Sequence, residues 1–207
     1  MSEITQGGME EKPTPAPLPR GDLRDSDSGN SYMTASYSYE KIDHRPGGNA
    51  ASAISSIRET FSVDSEGLRE IRDLSQEVAT LVLSMESVQQ RACAAVCPEC
   101  TSVCCINRHA YHEHEDIVYL AALGERMPSY NAEVFDTEPC QFLGNAGCTI
   151  SRHLRPHRCN AYFCTPMLEY LENRPASEYR KFIYDLERIT RKREEMLEEF
   201  YNKTHFS

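Results

Sequence analysis

Eight of the nine cysteines in this sequence lie between Cys97 and Cys164. The first four, Cys97, Cys100, Cys104 and Cys105, sit in the stretch CPECTSVCC. The second four, Cys140, Cys148, Cys159 and Cys164, sit in CQFLGNAGCTISRHLRPHRCNAYFC. Hydrophobic packing does not call for sulfur at this density. Thiolates are soft ligands suited to zinc, copper(I) and iron–sulfur clusters, so the types and spacing point to a bound metal.

Two residues separate Cys97 from Cys100, a spacing at which one tight turn aims both sulfurs at a single ion. Cys104 and Cys105 are adjacent, and adjacent side chains on extended backbone point opposite ways. Either one of the two ligates, or each serves a different site. Cys140 and Cys148 bracket an expected hairpin turn, and four residues separate Cys159 from Cys164. Together the eight supply one four-thiolate site with reserve, or two sites. Four thiolates suit tetrahedral zinc and a [4Fe–4S] cluster alike.

Arg152, Arg155 and Arg158 precede or abut Cys159. Guanidinium groups there can hydrogen-bond sulfur or offset the charge of a thiolate site, and ordinary ion pairs with nearby acids are the plain alternative. His109, His112 and His114 follow the first cysteine group, and His153 and His157 flank the arginines. Histidine is a common metal ligand. With eight cysteines at hand these are not needed, and a solvated cluster at a helix start is the expectation. The sequence has no phosphate loop, dinucleotide fingerprint, serine elbow or HExxH pattern, so a catalytic role would run through the metal centre. A vicinal-thiol redox sensor built on Cys104 and Cys105 is a further alternative, which requires exposed thiols of low pKa.

The elements that must position these sulfurs read as mainly α: a small irregular cysteine-rich metal-binding core, a short β-hairpin and long flanking helices. Residues 1–55 are rich in Pro, Ser, Gly and Asp and read as a disordered tail, with a weak strand pattern at Tyr32–Tyr39. Residues 56–96 read as an N-terminal helical segment. Its regular part, 63–93, places Leu68, Ile71, Leu74, Val78, Leu81, Met85 and Val88 on one stripe. Cys93 lies on this helix and is expected to be an ordinary thiol. Residues 97–168 form the expected metal-binding core. Within it, 113–123 reads as a short helix stopped by Gly124, and 140–150 reads as a hairpin turning at GNAG. Residues 169–207 hold a C-terminal helix over 177–202, with Tyr179, Phe182, Leu186, Ile189, Leu197 and Phe200 on the side that packs on the core.

The chain has 207 residues, 40% of them hydrophobic, which suits one domain plus tails. A net charge of −10 argues against general nucleic-acid binding. The N-terminal stretch lacks the basic and apolar regions of a signal peptide, and no run is long and apolar enough for a membrane span. A cytoplasmic protein with reduced thiols is therefore expected, with an unknown protein or small molecule as partner.

The pattern resembles the YkgJ-type cysteine-cluster family, the CxxCxxCC zinc- or iron-chelating domain. The tail carries the resemblance: Cys140-Gln-Phe-Leu143, Gly147-Cys148-Thr-Ile150, Arg155-Pro156-His-Arg-Cys159 and Cys164, with Asp116-Ile117-Val118 between the two groups. It covers about residues 97–168. The head departs by one extra residue between Cys100 and Cys104, and Asn160 stands where the family has Arg. The resemblance implies zinc or iron, the latter as an iron–sulfur cluster, held by all eight motif cysteines, with Arg155 and Arg158 supporting them. It implies no settled activity. An iron–sulfur-dependent modification or redox enzyme is the family-level alternative.

Overall fold

The computed structural model describes residues 41–204, apart from 65, 101–102, 108–109, 132, 135–137 and 146. The tail before residue 41, its expected Tyr32–Tyr39 strand and His109 lie outside the described residues.

The stripe anticipated on the N-terminal helix is the spine of the fold. Leu68, Ile71, Val78, Leu81 and Met85 are buried, and Leu74 and Val88 pack beside them. A stripe at three- and four-residue steps buries one helix face against a partner. The partner is the C-terminal helix, whose Phe182, Ile189, Met196 and Phe200 are buried in turn. Met196 and Phe200 are fully enclosed, and the Phe200 ring stacks on Phe61 at 5.6 Å.

The expected single helix over 56–96 is three: α1 (Ala50–Val63), α2 (Arg69–Ser84) and α3 (Glu86–Val96). The Asp64 carboxylate accepts the Gly67 N–H at 2.8 Å and closes the turn after α1. Between α2 and α3, Met85 keeps a helical backbone, so the two run almost end to end. The helix also starts earlier than expected. α1 begins at Ala50, inside the stretch assigned to the tail, because Ile54, Ile57 and Phe61 extend the apolar stripe through an Ala- and Ser-rich segment. Residues 41–49 are likewise tied to the fold. Ile42 packs on the core, the Asn49 side chain accepts the Asp43 N–H at 2.7 Å, and His44 stacks on Tyr111.

After a 3-10 turn (Cys97–Glu99) and a short α4 (Cys104–Asn107) comes α5 (His114–Leu123). Asp116 accepts the Glu113 N–H at 3.1 Å at its start, and Gly124 ends it at φ 74°. α5 is buried along most of its length and packs against α1, α2 and α8. The hairpin forms as expected, with β1 (Leu143–Gly144) antiparallel to β2 (Gly147–Cys148) and Leu143 opposite Cys148. Gly147 sits at φ 105°, a backbone that disfavours any side chain. A second 3-10 turn (Arg152–Leu154), α6 (His157–Ala161), α7 (Thr165–Glu172) and α8 (Ala176–Thr204) complete the chain. α7 spans the expected boundary at 168 and packs on α3; α8 packs along α2. The structure is thus mainly helical with one two-stranded hairpin. Among its described residues no helix is long and apolar enough to cross a membrane.

Candidate metal centre

Two neighbourhoods of thiols emerge from this arrangement, and they cut across the two sequence groups. The first is built where α3 runs into the 3-10 turn. The Cys97 N–H bonds the Cys93 carbonyl, one helical turn back, so both side chains project from one face. The Cys100 N–H bonds the Cys97 carbonyl at 3.2 Å and folds the third sulfur back. Cys164 arrives from the far end of the motif as the residue before α7, the helix that packs on α3. Burial pushes the Cys97 thiol up to about 12, helped by the charge and hydrogen bond of Cys93 and by the charges of Cys164 and Cys100.

The second neighbourhood is built on a backbone hydrogen bond. The Cys140 N–H donates to the Cys105 carbonyl at 2.7 Å and joins the vicinal pair to the start of the hairpin. The hairpin then returns Cys148 beside Leu143, and the Leu143 N–H bonds the Cys140 carbonyl at 2.8 Å. Cys159 comes from α6. Although Cys159 is open to solvent on one side, the protein around it pushes its thiol up to about 12, with Cys105, Cys148 and Cys140 adding to the effect and Arg155 opposing it. Cys105 is raised by burial and then by Cys140, Cys148, Cys104 and, least, Cys93, so the two neighbourhoods adjoin. None of the nine cysteines is joined in a disulfide.

The charge on Arg152 is influenced by thiols of both groups, Cys93 and Cys148. Arg152 is 5% exposed, and its Nη1 donates to the Asn160 amide oxygen at 3.4 Å. Its Nε has no partner among the described residues. Burial and Arg155 disfavour its charge, while Cys93, Glu86 and Cys148 favour it, drawing support from both thiol groups. Asn160, the departure from the family pattern, is buried here; its amide donates to the Arg152 carbonyl at 3.2 Å, and its own carbonyl accepts from Gln89 of α3 at 3.1 Å. Arg155 donates from Nε to the Ile150 carbonyl at 2.8 Å. Arg158 pairs with Glu113 at 3.0 Å on the surface.

The described histidines of the RHAYHEH stretch are not a solvated cluster. His112 is fully enclosed: the Leu154 carbonyl accepts from its Nε2 at 2.9 Å, which leaves Nδ1 to accept from the Tyr130 hydroxyl. His114 is buried against Tyr201. Both are held by core hydrogen bonds and turned to structural use, and burial lowers both below the ordinary histidine range. Nearby, Asp116 pairs with Arg193 at 2.9 Å and accepts the His157 N–H at 3.1 Å. An open cleft of about 770 Å³ lies against the 41–49 loop, lined by Lys41, Arg45, Asn49 and Tyr111 among others, and no cysteine reaches it.

Cys93 is the residue that the sequence motif hides. Its signal is positional: it stands four residues before Cys97 on a helix, where side chains share a face. The thiols are gathered but not closed. Among the described residues no three His, Cys, Asp or Glu side chains converge tightly enough to hold a metal ion as they stand. The expected metal-binding core is therefore not shown by the side-chain geometry, although the donor set fits a soft metal. No family model, no curated protein and no solved structure matches the chain.

Proposed function

We propose that this protein binds zinc or an iron–sulfur cluster through its clustered cysteines. The observation that carries the reading is the gathering of free thiols from α3, the first 3-10 turn, α4, the hairpin, α6 and the start of α7. Burial first, and the charges of neighbouring sulfurs after it, disfavour ionisation of the Cys97, Cys105 and Cys159 thiols. A bound cation reverses that penalty, because the metal takes thiolates and releases their protons. The buried Arg152 guanidinium supplies a further positive charge, favoured by thiols of both groups. The resemblance to the YkgJ-type family supports the same reading and puts all eight motif cysteines among the ligands. A metal so held stabilises the irregular 97–168 segment and ties α3, the hairpin and α7 together. Reduced thiols fit the cytoplasm, and the acidic chain fits a protein or small-molecule partner rather than nucleic acid.

The redox-sensor alternative draws support from the exposure of Cys104 and Cys105. Against it, the Cys105 thiol is raised, whereas a sensor thiol needs a lowered pKa.

Anaerobic purification followed by elemental analysis and visible spectroscopy tests the proposal. Bound zinc in a colourless protein, or iron with broad visible absorption, supports it. Fresh anaerobic protein holding neither metal defeats it.

A further inference from the structure

Resting on the metal-binding reading, we infer that Cys93 is a ligand: Cys93, Cys97, Cys100 and Cys164 form one four-thiolate site, and Cys105, Cys140, Cys148 and Cys159 form a second. The division differs from the eight-cysteine motif, which omits Cys93 and includes Cys104.

Three features of the fold support it. Cys93 and Cys97 stand one helical turn apart, the Cys97 N–H bonding the Cys93 carbonyl, so their side chains share a face at the end of α3. Helical i,i+4 pairs are a common way to present two ligands to one ion. The 3-10 turn then returns Cys100 toward Cys97, and Cys164 stands at the start of α7, the helix that packs on α3. These four sulfurs come from three backbone segments. Closing them on a zinc ion at about 2.3 Å per sulfur needs side-chain rotation together with adjustment of the turn after α3.

The second feature is the way the vicinal pair divides. The Cys105 carbonyl holds the Cys140 N–H, and Cys105 is the thiol whose charge bears most on Cys159. Cys105 thus joins the hairpin cysteines, and Cys104, the residue before it on α4, projects about 100° away around the helix. Nine thiols then divide as four, four and one, with Cys104 outside both sites.

The third is Arg152. A buried guanidinium with an unfilled donor is costly unless anionic groups face it. Its thiol neighbours are Cys93 from the first set and Cys148 from the second. That position suits a charge shared between two thiolate sites, since each tetrathiolate zinc carries net negative charge.

The test uses the full chain, purified anaerobically with zinc, as wild type, Cys93→Ser and Cys104→Ser. Native mass spectrometry counts the metal. The expected result is two zinc ions in wild type, two in Cys104→Ser and one in Cys93→Ser. Two ions in Cys93→Ser, or one in Cys104→Ser, overturns the division while leaving metal binding intact. No metal in wild type overturns the underlying reading instead. Alkylation footprinting of the wild type gives an answer that does not depend on a variant folding. Cys93 is expected to be protected in the loaded protein and released by chelator in step with Cys97. An alkylation rate at Cys93 that chelator leaves unchanged overturns the inference.

Discussion

At the scale of single residues, Arg152 is the most informative side chain outside the cysteines. Its sequence position made it one of three equivalent arginines, but burial separates them. Arg158 is spent on a surface pair with Glu113 and Arg155 on the Ile150 carbonyl, while Arg152 is enclosed and its Nε finds no partner among the described residues. Groups that support a metal site from behind its ligands commonly shift affinity by about 10- to 100-fold. Arg152→Met is therefore expected to weaken zinc binding by roughly that factor, measured by chelator competition. An unchanged affinity removes Arg152 from the site. The buried histidines set a second expectation. His112 and His114 have folded pKa values below 6.5, so the unfolded chain binds more protons as the pH falls through 6.5. Their contribution to stability is complete above pH 6.5 and is lost as the pH drops toward their folded values. Glu115, raised by burial, acts in the opposite sense nearer its ordinary 4.5. In reduced, chelator-treated protein the urea midpoint should decline from pH 7.5 to 5.5, and a midpoint that rises over that range contradicts the account.

At the scale of elements, the α2–α8 seam holds the fold. Phe200 is fully buried between Phe61 and Tyr201, and Ser75 donates to the Met196 sulfur at 3.0 Å beside it. Phe200→Ala is expected to cost about 3–5 kcal/mol in urea unfolding, the usual range for a deleted core aromatic. A loss below about 1 kcal/mol would show that the seam collapses around the gap. These helices were legible because their apolar residues recur at helical steps over many turns. The hairpin was legible from Gly144 and Gly147, and α5 from the acids before it and Gly124 after it. The division of the long N-terminal helix was not: the apolar stripe continues across both breaks, the lone Gly67 in the first is a residue a helix can carry, and Met85 breaks the second with no Gly or Pro. The start of α1 was hidden as well. Ala50, Ala51, Ser52 and Ala53 resemble the linker before them, and only Ile54, Ile57 and Phe61 reveal the buried face.

At the scale of the whole molecule, the cysteines matter as a set drawn from most of the chain's middle. Their number and the expectation of a soft metal could be read from the sequence. It did not give their grouping, which depends on α7 packing against α3 and on the Cys105–Cys140 backbone bond, contacts between residues far apart in sequence. Cys93 was set aside because motif spacing begins at Cys97; the helix places it on the Cys97 face. Asn160 read as a mere departure from a family pattern, and its buried bonds to Arg152 and Gln89 give it a local purpose. On the proposed reading, the molecule is a helical frame that brings its cysteines near one another, and a bound metal would close them. Native mass spectrometry of the anaerobically purified chain, after growth with zinc or with iron, tests that claim most directly. The account predicts a mass exceeding that of the polypeptide by bound zinc or by iron and sulfide. The bare polypeptide mass under both conditions would contradict it.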